Sequence, residues 1–158
     1  MDGHFTGYAS LFGVPDLGRD VVAPGAFAAS LARRGVSGVR MLWQHDPAEP
    51  IGSWLSLEED ALGLRVSGRL NLAVQRAREL DALMRERALD GLSIGFRAVR
   101  AQPERGGRRL IAVDLWEISL VTFPLQPGAR IARASRLHPS RPLPRLRPAL
   151  RPLARVRA

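Results

Sequence analysis

His45, Ser93 and Glu117 are the residues of this chain that could together cut an acyl bond. In that order they supply a base, a hydroxyl nucleophile and an orienting carboxylate. A neutral imidazole takes a hydroxyl proton near pH 7 and can return it to a leaving amine. An ionised carboxylate behind the imidazole fixes its tautomer and stabilises the imidazolium that forms. Each residue also has an inert reading. Ser93 could be a hydroxyl in a helix-to-strand turn, His45 a loop-edge residue capping a backbone group, and Glu117 an exposed strand residue or an arginine's partner. Asp46 adjoins His45, but sequence neighbours on an extended chain point apart, so it is not taken as the orienting acid.

Ser93 lies in Gly91-Leu92-Ser93-Ile94-Gly95, which matches the Gly-x-Ser-x-Gly nucleophile elbow. That elbow requires a strand before the serine and a helix after it. Here a long helical pattern precedes Ser93 and strand-like sequence follows. The only histidine after the serine is His138, in an arginine- and proline-rich run. The elbow is therefore rejected, and the flanking glycines are read as allowing a sharp turn and close backbone approach.

The elements that must carry these residues are short. His4 to Phe12 reads as a strand, and Pro24 to Phe27 opens a short helix stopped by Gly35. Val39 to Gln44 is a buried strand ending at His45, after which Pro47 and Pro50 predict a loop. Ile51–Leu57 and Leu64–Leu70 form a hairpin around Glu58-Glu59-Asp60. Asn71 is the expected N-cap of the longest helix, with Val74, Ala77, Leu80, Leu83, Met84 and Leu89 on one face and Gly91 as its terminator. Ile94–Ala101 is strand-like, Leu110–Phe123 is one long strand or a pair, and Gly128–Leu137 is expected to form a helical turn or two. The fold class is mixed α/β but mainly β: a small β-barrel flanked by helices, with a disordered basic C-terminal tail.

Composition narrows the chemistry. The chain has 158 residues and no cysteine, which excludes disulfides and thiolate metal sites. No cofactor and no metal is expected. No run of about eighteen apolar residues occurs and no signal pattern opens the chain, so a cytoplasmic, non-membrane protein is expected. All 24 basic residues are arginine. Residues 1–132 hold 16 arginines against all 15 acids, so the expected domain is near neutral; residues 133–158 hold 8 arginines and no acid. Five prolines in that tail block helix and sheet. The tail is a solvated end, an electrostatic handle for an acidic scaffold or nucleic acid, or a segment later removed.

Taken together, the local patterns resemble the prohead (capsid maturation) proteases of tailed bacteriophages, which are similar in fold to herpesvirus assemblins. The likeness covers roughly residues 3–130. It rests on Gly3-His4-Phe5-Thr6-Gly7-Tyr8-Ala9, Val22-Ala23-Pro24-Gly25-Ala26-Phe27, Leu42-Trp43-Gln44-His45-Asp46 with Pro50-Ile51-Gly52, Gly63-Leu64-Arg65-Val66, Leu92-Ser93-Ile94-Gly95-Phe96, and Glu117-Ile118-Ser119-Leu120-Val121 with Pro124. The resemblance implies a serine endopeptidase inside an immature capsid, cutting the scaffold segment from the major capsid protein and also itself. It implies His45 as base and Ser93 as nucleophile. Where assemblins use a second histidine, this chain offers Glu117. Backbone N–H groups of the loop Phe123–Gly128 are the expected oxyanion hole. Self-association is left open. Two other classes compete: a catalytically inactive capsid-assembly or scaffold protein, and a nucleic-acid binder acting through the basic tail. The near-neutral domain, with Tyr8 its only tyrosine, argues against the last.

Overall fold

The computed structural model describes residues 2–134. Apart from Arg133 and Ala134, the expected tail lies outside the described residues.

Eight strands and two helices follow one another as β1 (His4–Leu11), β2 (Asp20–Val22), α1 (Ala28–Arg34), β3 (Arg40–Trp43), β4 (Asp46–Glu59), β5 (Gly63–Leu70), α2 (Gln75–Arg85), β6 (Gly91–Glu104), β7 (Gly107–Val121) and β8 (Ile131–Ala134). They form one curled sheet in which β3, β4, β5 and β1 follow one another and β8 pairs with β1. β7 is its hub. It pairs in parallel with β2 at one end and β3 at the other, and antiparallel with β6 along its opposite edge. The curl is drawn together by the segment before β8. Tyr8 N–H donates to Arg130 O, while Leu92 N–H donates to Ala129 O and Ile131 N–H to Asp90 O. One short stretch thus bonds both β1 and the start of β6, two strands far apart in the sheet order. The fold is mainly β, as the sequence implies.

The concave face buries the core, which includes Phe5, Phe27, Met41, Ile51, Leu64, Val66, Leu80, Leu92, Leu110, Leu115, Ile118 and Leu120. β7 reaches this core through a bulge. Gly95 pairs with Glu117 but Phe96 pairs with Leu115, leaving Trp116 unmatched. A bulge inserts one residue and flips the parity of everything beyond it. Val113 and Leu115 therefore face the core before it, and Ile118 and Leu120 after it. Glu117 and Ser119 are turned to the opposite face. Unbroken alternation would have put Glu117 on the same side as Leu115.

α1 is fastened to β7 beside this bulge. Asp114, buried, accepts from Arg33, from Arg34 through two hydrogen bonds of 3.0 Å, and from Trp116 Nε1 at 2.8 Å. The Arg34 hydrogen bonds, then that of Trp116, hold its carboxyl well below the usual carboxylate range. Ser30 Oγ adds a bond from the Leu115 N–H at 2.8 Å.

Four sequence expectations are corrected. Pro47 and Pro50 do not make a loop but lie inside β4, whose first residues are mostly exposed, where proline is tolerated. Asn71 does not cap α2: its Oδ1 accepts from the Ala73 N–H two residues on, making a local turn, and the helix starts at Gln75. Gly91 does not end α2, which closes at Arg85 with Arg87 taking the left-handed φ of 60°; Gly91 opens β6. The helical turn expected over 128–137 is instead strand β8 at Ile131–Ala134, drawn out by pairing of Thr6 with Arg133 and of Phe5 with Ala134. On α2, Ala77, Leu80 and Met84 are buried while Leu83 stays 41% exposed.

Gly7 sits where β1 meets the closing segment, and a Cβ there would overlap Arg130 O and crowd Ile131 Cα. Both obstacles are backbone and cannot rotate away. Gly7→Ala is expected to destabilise the fold by about 1–3 kcal/mol, the usual cost of overpacking. A thermal melt with an unchanged midpoint would refute this.

Candidate active site

His45 is presented by the two-residue hairpin turn between β3 and β4, where Trp43 pairs with Asp46. Gln44 and His45 both have positive φ, 51° and 61°. Positive φ at both central positions defines a type I′ turn, which matches strand twist but ordinarily calls for Asn and Gly. Two side-chain-bearing residues there are strained. Their neighbours hold them. Gln44 N–H donates to Leu120 O at 3.0 Å, and its side-chain amide donates to Thr122 Oγ1 at 2.9 Å. His45 N–H donates to Ser119 Oγ at 3.1 Å.

The imidazole reaches Glu117 by the same geometry. β3 runs parallel to β7 with Arg40 opposite Glu117 and Leu42 opposite Ser119, so the turn after β3 projects over β7. His45 Nδ1 lies 2.5 Å from Glu117 Oε1, and Ser119 Oγ donates to Glu117 Oε2 at 2.6 Å. The carboxylate accepts only, so it selects the tautomer with the proton on Nδ1 and leaves Nε2 as the acceptor. The Glu117 hydrogen bond raises the His45 pKa above its ordinary 6.5, against the opposing pull of partial burial. His45 keeps 42% of its side chain exposed, while Glu117 keeps only 13%.

Ser93 sits on the neighbouring strand, facing the same way. It is the third residue of β6 and pairs with Ser119, while Gly95 pairs with Glu117. Directly opposed residues of an antiparallel pair share a face. Leu92, in the core, and Ile94, packed against it, point to the other side. Ser93 is therefore in a strand, not in the sharp turn its flanking glycines suggested. Those glycines serve close approach of the chain to itself: a Cβ at Gly95 would overlap the Glu117 carboxylate, and one at Gly91 would overlap Val121 O.

The structure thus brings His45 and Glu117 into direct contact and places Ser93 on their face of the sheet. It does not join Ser93 Oγ to His45 by a hydrogen bond. Ser93 is 6% exposed and borders a small hollow lined also by Ser10, Ile94, Phe96, Leu125 and Gln126. Catalytic hydrogen bonds are often long before substrate arrives. Asp46 is directed elsewhere, accepting from the Ala48 N–H at 2.8 Å. A second histidine, His4, bonds Ser67 Oγ at 2.9 Å, but among the described residues no carboxylate holds its ring.

Sequence reasoning missed Ser119, Gln44 and Gly95. Ser119 had a usable signal: two residues from Glu117 on a strand, it must share that residue's face. Gln44 and Gly95 had none, because their roles arise from the turn and the strand pairing.

A family model described as caudovirus prohead serine protease matches residues 1–141. The chain is 38% identical over 134 residues to the prohead protease of Enterobacteria phage HK97, covering 82% of this chain and 59% of that protein. It is 30% identical over 125 residues to the capsid polyprotein of Pseudomonas phage PAJU2, covering 74% of this chain and 18% of that protein. The chain therefore spans less than two thirds of the length of either relative. Among solved structures it is similar to the KSHV protease in complex with a hexapeptide phosphonate inhibitor. That likeness has a TM-score of 0.58 at 14% identity, over 83% of this chain and 64% of that one. For the varicella-zoster virus protease the TM-score is 0.51 at 15% identity, over 81% and 62%. At such identities the likeness speaks for the curled sheet alone. The match along the sequence, which runs through β1 to β8, goes further: this chain belongs to the caudovirus prohead serine proteases.

Proposed function

We propose that this chain is a serine endopeptidase of capsid maturation, with Ser93 as nucleophile, His45 as general base and Glu117 as the carboxylate that orients it. The observation that carries this reading is the 2.5 Å contact between His45 Nδ1 and Glu117 Oε1, on the face of the sheet that Ser93 shares. It leaves Nε2 as the free basic nitrogen. Ser93 Oγ attacks the scissile carbonyl as its proton passes to Nε2. The imidazolium, stabilised by Glu117, gives that proton to the leaving amine. Water then attacks the acyl-enzyme with His45 again as base, releasing the acid and restoring Ser93. The developing oxyanion is assigned to backbone N–H groups of the loop Phe123–Gly128, whose Leu125 and Gln126 border the hollow beside Ser93.

Ser119 is a positioning residue in this scheme. It is fully buried, its hydroxyl proton is committed to Glu117, and its oxygen accepts from His45 N–H. The substrate is assigned as the scaffold segment of the major capsid protein inside the immature capsid. Similarity to a protein named capsid polyprotein supports that link. The arginine-rich segment 133–158 is a second candidate substrate, as a tail trimmed by self-cleavage. An inactive assembly role has one observation in its favour, the missing Ser93–His45 bond, and the first experiment below decides it.

Co-expressed with its cognate capsid protein, the chain should shorten that protein, and Ser93→Ala or His45→Ala should each reduce the cleavage by at least about a thousandfold. Intact-mass measurement of the same cells reports whether the tail is trimmed. Cleavage that persists in Ser93→Ala removes that residue from the mechanism.

Activity should rise with pH through the elevated pKa of His45, because only the neutral imidazole accepts a proton. Glu117→Gln removes the group that raises it, so the ascending limb should move to lower pH while kcat falls about 10²–10⁴-fold. A limb that stays in place would refute the Glu117 role. Gly95→Ala keeps the carboxylate but puts a methyl where it lies. Displacing the carboxylate breaks its bonds to the His45 ring and to Ser119, so the melting temperature and kcat should both fall, as seen in a paired melt and rate assay.

A further inference from the structure

We propose that Phe123, with Leu125 and Leu17, forms an apolar lip that binds a large aliphatic or aromatic side chain of the substrate close to the scissile bond. This rests on the peptidase reading above and adds a substrate preference to it.

Phe123 is 90% exposed, and single exposed apolar residues are ordinary. Its setting is not. Immediately before it, Thr122 Oγ1 accepts from the Gln44 amide, so this end of the loop is fixed to the turn that carries His45. Just after it, Leu125 O accepts from Leu17 N–H at 2.9 Å. The buried Gln126 then donates to Leu11 O at 3.0 Å and Val14 O at 2.8 Å, and accepts from Leu11 N–H at 2.6 Å. Pro124 and Pro127 restrict the backbone between these anchors. Leu125 and Gln126 border the hollow that Ser93 lines. Phe123 therefore follows a residue bonded to the His45 turn and lies two residues before one that borders the Ser93 hollow, with Leu125 48% and Leu17 72% exposed in the segments bonded beside it. Apolar surface held rigidly in water at the edge of a reaction site is surface that a bound chain would cover.

The hollow also contains Asp16 and Asp20, which would suit a basic side chain if they were available. They are engaged. Asp20 is held through two hydrogen bonds by Arg108, at 2.9 and 2.6 Å, and Asp16 Oδ1 accepts from the Asp20 N–H. Asp20 is thus answered by a cation and Asp16 by a backbone N–H alone, so a basic side chain would meet at most one carboxylate here, while Leu17, Phe123 and Leu125 make the larger part of this rim apolar. The occupant is the substrate segment and not a second copy of the chain, because Leu125 of the lip also lines the hollow that Ser93 borders.

The test is digestion of a peptide mixture derived from a whole proteome by the purified protein, with cut sites read by mass spectrometry. Sites should be enriched in Leu, Ile, Met or Phe at one position within a few residues of the bond. For a peptide bearing that residue, Phe123→Ala should lower kcat/KM about tenfold or more, mainly through KM. Leu83→Ala, which trims exposed apolar surface on α2, should change neither the preference nor the rate. Ser93-dependent cleavage with no apolar enrichment, or an unaltered KM in Phe123→Ala, overturns the lip alone. Absence of any Ser93-dependent cleavage overturns the peptidase reading and the lip with it. A dimer that dissociates in Phe123→Ala while site preference is retained makes the patch an interface between copies and also overturns the proposal.

Discussion

A histidine at a φ of 61°, next to a glutamine at 51°, does not hold that shape by itself. Each such residue costs on the order of 1–3 kcal/mol unless its surroundings enforce it. Here the enforcement comes from β7 and the residue that follows it. Leu120 O takes the Gln44 N–H, Thr122 takes the Gln44 side chain, Ser119 Oγ takes the His45 N–H, and Glu117 takes the His45 ring. Four partners within residues 117–122, at the end of β7 and just after it, fix both the backbone and the side chain of the turn. The turn is strained because the ring must lie over β7, and it survives because β7 supplies acceptors at the right spacing.

β7 can do this only if its polar residues face away from the core while its apolar ones fill it. The bulge at Trp116 makes the two demands compatible. Without it, Leu115, Glu117 and Ser119 would share one face and a carboxylate would have to follow a fully buried leucine into the interior, at a large desolvation cost. The indole of the extra residue is held by Asp114, which also takes Arg33 and Arg34 from α1. The anchor of the helix and the kink that aims Glu117 are thus parts of one hydrogen-bonded unit. Placed between β3 and β6, the strand then lies beside both the histidine turn and the serine strand.

Much of this was legible in the sequence, to a particular depth. Apolar periodicity located β1, β5, α1 and the buried face of α2, because burial imposes a period that survives in one sequence. The candidate residues stood out because His45 ends an apolar run and Glu117 interrupts another. What could not be read was set by partners distant along the chain. Pro47 and Pro50 signal a break locally, but pairing with β3 and β5 makes β4 a strand of fourteen residues. The segment after Gly128 has no strong strand pattern and becomes β8 only because β1 offers an edge. Gly95 looked like a turn residue, and its reason is a carboxylate from the neighbouring strand. Of the expected tail 133–158, only Arg133 and Ala134 are described, as the end of β8, and the remainder lies outside the described residues.

Two serines face each other across β6 and β7, and their surroundings differ. Ser119 is fully buried with donor and acceptor both used, so a substrate carbonyl has no path to its oxygen. Ser93 makes no side-chain hydrogen bond among the described residues and borders a hollow. Paired residues in an antiparallel ladder have Cα atoms roughly 5 Å apart. Ser119 Oγ is in turn 3.1 Å from the backbone nitrogen of His45. The β6–β7 ladder and the tethered turn thus hold Ser93 and His45 on either side of Ser119. The Ser93 hydroxyl turns about a single χ angle, whereas the imidazole is pinned through Nδ1. In the proposed mechanism the moving group is accordingly the Ser93 hydroxyl, and the fixed one is the imidazole.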